Sequence, residues 1–217
     1  MVIKAKKRSV LSSTQILLLK VLIHLLSLGF IVAIYPLALR GYFGADPTPE
    51  IIHYTGKGAL HLLLISLIIS PLAKRLKQGG LIRVRRLVGI YCFIWASLHL
   101  FSYSYLDLGF DWSLIGSELV KRPYLTLGAL SWILLFALTL TSLNTIRKKM
   151  GVKWQKLHNF IYLVAIIAPI HYLWSVKSGI IEPAIYLIFS LWLLSLRKSK
   201  FVIFKSNKSK NNKLKSN

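Results

Sequence analysis

The chain has 217 residues, 55% of them hydrophobic and only 16% charged. A soluble domain carries about a quarter charged residues, so this composition excludes an ordinary water-soluble enzyme and points to the membrane. The net charge of +23, from 29 Lys and Arg against 6 Asp and Glu, follows a membrane topology rather than a nucleic-acid surface.

Six apolar runs read as candidate spans in chain order: 16–39, 58–73, 87–106, 124–146, 157–176 and 180–196. The first follows Lys4, Lys6, Lys7 and Arg8, as a signal peptide would. Its apolar stretch is too long for that, and no small-x-small cleavage pattern follows it. The second and sixth are short. The single Cys92 excludes a disulfide framework and a Cys-ligated cluster or zinc site. No internal repeat is apparent, and no loop is long enough for a second folded domain.

The charges sort by side. Asp46, Glu50, Asp107, Asp111, Glu118 and Glu182 all lie in loops on one face, with only Arg40, Lys57, Lys121, Arg122 and Lys177 as basic company. Most other Lys and Arg lie at the N-terminus, in 74–86, in 147–156 and in the C-terminal tail. The positive-inside rule puts those segments in the cytoplasm. The fold expected is all-α, a six-transmembrane-helix bundle with N- and C-termini cytoplasmic. Residues 1–196 form one membrane domain, and 197–217 form a basic, disordered cytoplasmic tail that touches anionic lipid.

Histidines stand out within these spans, because a titratable ring in hydrocarbon is costly and needs a partner. His99 lies about a dozen residues up the third span, roughly 18 Å from its cytoplasmic start. His171 lies about 14 residues up the fifth, or roughly 21 Å. Both therefore reach the outer part of a core about 30 Å thick. An interhelical hydrogen bond would account for one such histidine. Two at matched depth favour an axial pair, one imidazole on each side of a haem iron.

His158 lies nearer the cytoplasmic face, roughly 20 Å below His171 and turned about 140° from it on an ideal helix. Pro169 lies between them and can rephase the helix. Arg85 falls within about 40° of the face that carries His99. An arginine is a poor iron ligand but suits a propionate or a phosphate. Arg83, Arg85, Arg86 and His158 thus mark an inner site for haem propionates, a flavin phosphate or a quinone-reducing centre; the alternatives are a plain positive-inside cluster and an interfacial histidine. His24 and His61 read as packing or quinone contacts, and His53 as a solvated residue of the 40–57 loop.

The stretches GADPTPEIIHYTGKGAL (44–60), RRLVGIYCFIWASLHLFSY (85–103), KRPYLTLG (121–128) and WQKLHNFIYLVAIIAPIHYLWSVK (154–177) resemble the MsrQ (YedZ) family. These are haem-binding membrane subunits within the wider ferric-reductase-like transmembrane group. The resemblance covers nearly the whole chain except the tail. It implies His99, His158 and His171 as haem-iron ligands, and Arg85 and Arg86 as the arginines of the family's RRL segment. It further implies haem b, one or two per chain, and FMN. Electrons would come from the quinone pool or a cytoplasmic flavin reductase. They would pass to MsrP, a periplasmic molybdopterin enzyme that reduces oxidised methionines, so catalysis is expected in the partner. A self-contained ferric reductase shares this wiring. A proton or ion transporter with a histidine relay is the other class, but no span carries the carboxylates such relays use.

Overall fold

A computed structural model of the chain describes residues 11–197. The basic residues at 4–8 and the tail beyond Arg197 lie outside that range. The described residues form helices and loops without strands. They are α1 (Ser13–Leu39), α2 (Thr48–Arg75), a short 3-10 turn (Gly79–Leu81), α3 (Ile82–Ser102), a π turn (Tyr103–Asp107), α4 (Trp112–Lys121), α5 (Pro123–Leu140), α6 (Asn144–Met150), α7 (Val152–His158), α8 (Ile161–Ser175) and α9 (Ile181–Ser195).

Five stretches are long and apolar enough to cross a membrane: Ser13–Leu39, Thr48–Arg75, Gly79–Asp107, Pro123–Leu140 and Val152–Ser175. Helix α9 is apolar but spans only 15 residues.

The helix starts follow local chemistry. Ser12 caps α1 by accepting from the Gln15 amide, and the Gln15 side chain accepts from the Ser12 amide in return. Proline occupies the first turn of α2 and of α5, where a missing amide hydrogen costs nothing. Asp111 accepts from the amides of Ser113 and Leu114 and so caps α4.

The core lies where α2, α3, α5, α8 and α9 meet. Leu60, Leu63, Leu64 and Leu67 of α2 pack with Cys92, Leu135, Val164, Ala165 and Leu193. Polar groups stitch the helices together, as expected where hydrocarbon gives no hydrophobic drive between them. Cys92 donates to the Ala59 carbonyl at 3.4 Å, Trp132 Nε1 donates to Ser97 Oγ at 3.0 Å, and Ser190 Oγ donates to the Ala165 carbonyl. Helix α1 stands at the edge, with Ile16 buried against Ile69, Val84 and Val88. His24 of α1 bonds Tyr91 of α3 at 2.6 Å and so ties the two helices.

Three boundaries differ from the sequence reading. Helix α2 begins at Thr48, so the segment read as an outer loop is helical and His53 is a half-buried helix residue, 6.1 Å from the Tyr172 ring. Helix α5 stops at Leu140, where the Thr141 and Ser142 hydroxyls bond back to the Ala137 and Leu138 carbonyls. The fifth span breaks at Asn159 and Phe160, between α7 and α8. Pro169 lies within the continuous α8, so the interruption between His158 and His171 falls at Asn159 and Phe160 and not at the proline.

Candidate haem-iron site

Helices α3 and α8 carry His99 and His171, and α2 and α5 hold them in place. Nδ1 of His99 lies 2.9 Å from the Ile52 carbonyl of α2. Nδ1 of His171 lies 2.7 Å from the Tyr124 carbonyl of α5. A carbonyl can only accept, so each Nδ1 carries the proton and donates it. Each Nε2 is thereby left with its lone pair, the form in which imidazole binds a metal.

The two rings are close neighbours. Their centroids are 6.1 Å apart and their planes lie at 74°. One iron held by both Nε2 atoms at about 2.0–2.1 Å would set the centroids roughly 6.3 Å apart. The observed centroid separation is close to that value. Both histidines are half-buried. Among the described residues no three His, Cys, Asp or Glu side chains converge on one point, so the pair stands as a two-ligand clamp.

His158 is built differently. Its Nε2 lies 3.1 Å from Thr141 Oγ1, and its ring stacks on Trp154 at 4.0 Å. Trp154 Nε1 donates to the Thr141 carbonyl, and Arg147 lies over the Trp154 ring at 4.7 Å. Arg85 and Arg147 are within electrostatic reach of His158, and Arg197 is within reach of Arg85. Arg85 is half-buried, whereas Arg86 is exposed and donates to Asn144 Oδ1 at 2.9 Å. Of the arginine pair, Arg85 is thus the one turned toward the inner site. Among the described residues no second histidine contacts His158.

His61 is exposed and bonds Tyr186 of α9 at 2.6 Å, near the Lys57–Glu182 ion pair. It takes no part in the clamp. The residues that sequence reasoning missed are the Ile52 and Tyr124 carbonyls, Thr141 and Trp154. Backbone acceptors leave no mark on composition, and Thr141 and Trp154 lie in segments that read as a span end and a basic loop.

A sequence model described as the ferric reductase like transmembrane component matches residues 55–169, from α2 into α8. The "Protein-methionine-sulfoxide reductase heme-binding subunit MsrQ" of Enterobacter sp. (strain 638) is 55% identical over 192 residues, which are 88% of this chain and 96% of that protein. The chain belongs to the MsrQ family. A protein of the same name from Cronobacter sakazakii is 53% identical over 88% of this chain and 96% of its own. Another, from Pectobacterium carotovorum, is 53% identical over 84% of this chain and 92% of its own. No solved structure matches. With five apolar stretches of spanning length among the described residues, this MsrQ family member is a multi-pass membrane protein.

Proposed function

We propose that this chain is the membrane electron-transfer subunit of a bacterial methionine sulfoxide reductase system, with haem b clamped by His99 and His171. The observation that carries the reading is the 6.1 Å separation of two imidazoles whose Nδ1 protons are both engaged. The relatives' printed names, as heme-binding subunits of such a reductase, agree with it. A haem bound there supplies a one-electron ferric/ferrous couple.

The chain's own residues do the rest. The carbonyls of Ile52 and Tyr124 fix both rings and raise their basicity as ligands. His158, with Arg85 and Arg147 beside it, offers an inner ligand for a second haem or a cationic seat for the phosphate of FMN. FMN itself is proposed on the family resemblance.

The chain sits in the inner membrane with α9 as its sixth span and both termini cytoplasmic. Support for this orientation is the gathering of Lys and Arg in 74–86 and 147–156 against Asp and Glu in the opposite loops. Electrons enter from quinol or a cytoplasmic flavin reductase and leave on the outer side to the molybdopterin enzyme MsrP. The test is the full chain in proteoliposomes, reduced by a quinol or by a flavin reductase with NADH. The reduced absorption should decay when MsrP and methionine sulfoxide are both added, and not with either alone. Reduced absorption indifferent to both additions refutes the assignment.

A further inference from the structure

The two histidines of the clamp are held in the same way. His99 donates to the carbonyl of Ile52, and His171 donates to the carbonyl of Tyr124; donor and acceptor are 47 residues apart in both cases. One turn beyond each acceptor stands a glycine, Gly56 on α2 and Gly128 on α5. In a regular helix that glycine's own amide bonds the same carbonyl, so each oxygen serves both its helix and the histidine, and the Ile52 oxygen also lies 2.9 Å from Thr55 Oγ1.

The glycines also meet the rings. A Cβ on Gly56 would stand 3.1 Å from Cε1 and Nδ1 of His99. A Cβ on Gly128 would stand 2.9 Å from Cε1 and 3.0 Å from Nδ1 of His171. Neither glycine has the positive φ that would require it for backbone reasons, since both lie within helices. Close approach of an imidazole is what their missing side chains permit. The pattern of acceptor, glycine four residues on and histidine 47 residues on thus occurs twice, once in α2 and α3 and once in α5 and α8, without a matching sequence repeat.

We propose that Gly56 and Gly128 are positioning residues that seat the faces of His99 and His171 and thereby set their ring orientation and Nδ1 hydrogen bonds. This rests on the reading of the two histidines as axial ligands. A methyl group at either seat pushes the ring away from its carbonyl. The weakened Nδ1–H bond makes the imidazole a poorer donor to iron and destabilises the ferric state, which raises the midpoint potential. The displaced ring also changes the angle between the imidazole planes, which the lowest-field line of the ferric low-spin EPR spectrum reports.

The experiment compares Gly56→Ala, Gly128→Ala and Gly89→Ala in the purified, haem-loaded full chain. Gly89 is a control on α3 whose added Cβ would meet nothing within 4 Å. Alanine favours a helix over glycine, so the backbone itself is not weakened. The expected result is an upward potential shift and a moved EPR line in both seat variants, larger for Gly128→Ala, with Gly89→Ala unchanged. If Gly128→Ala fails to fold, the milder Gly56→Ala carries the test alone. Full haem with wild-type potential and EPR in the seat variants that fold overturns the inference, as does an equal shift in Gly89→Ala. Wild type without a bis-imidazole haem signal overturns the axial reading itself, and the inference with it.

Discussion

Gly58 on α2 lies under the ring of Trp95 on α3, one turn below His99. A Cβ there would fall among the ring atoms Cε3, Cζ3 and Cδ2 of Trp95. Trp95 is buried, with 4% of its surface exposed, so the ring has no open space to move into. Forcing extra volume into a packed core costs about 1–3 kcal/mol. The gain in helix propensity from glycine to alanine returns about 1 kcal/mol. Because the overlap is with ring atoms and not a flexible tip, the upper part of the overpacking range applies. Gly58→Ala is therefore expected to lose about 2 kcal/mol net. By the scaling for chains of 150–250 residues, that is roughly a 4–8 °C drop in thermal midpoint. Thermal unfolding in detergent, followed by intrinsic fluorescence and circular dichroism, measures it. Adding Trp95→Leu should recover much of the loss by vacating the ring's place. A Gly58→Ala protein as stable as wild type would show that α2 and α3 do not approach as described.

The Lys57–Glu182 pair, 3.2 Å apart, joins α2 to α9, but its side chains are 36% and 49% exposed. A double-mutant cycle with alanine should therefore give a coupling below about 1 kcal/mol; a value several times larger would mean the pair is shielded from solvent. Arg197 is different, being 5% exposed, with Nη1 3.1 Å from Tyr162 OH and Nη2 bonded to the Leu67 carbonyl. Arg197→Ala should lower stability by about 2–3 kcal/mol through loss of charge-assisted bonds, and an unchanged unfolding midpoint would contradict the placement.

Much of this arrangement is legible in the sequence. The matched depths of His99 and His171 follow from helical rise alone, and the structure brings the two rings together. The apolar runs mark the helices that carry them. What escapes the sequence reading is polar sequence inside helices. The first turns of α2 contain Glu50, His53, Thr55, Gly56 and Lys57, a composition that reads as loop. They are helical because contacts within α2 and with neighbouring helices satisfy them. The Thr55 hydroxyl returns to the Ile51 and Ile52 carbonyls, His53 packs near Tyr172, and Lys57 meets Glu182. Prolines at 47 and 49 ahead of that stretch are the signal that could have found its start. The break between α7 and α8 is likewise hidden, since Asn159 and Phe160 carry no glycine or proline to announce it. Helical rise sets His158 well apart from His171 along the chain, while its actual neighbours, Thr141 and Trp154, depend on where α5 ends and α7 begins.

Whether His99 and His171 together hold one haem iron is read most directly from the reduced-minus-oxidised visible spectrum, with haem stoichiometry, of the purified full chain in wild type, His99→Ala, His171→Ala and His158→Ala. A sharp bis-imidazole α-band is expected in wild type and in His158→Ala, and its loss in both His99→Ala and His171→Ala. An undiminished band in either of those two variants, or its disappearance in His158→Ala alone, would contradict that pairing.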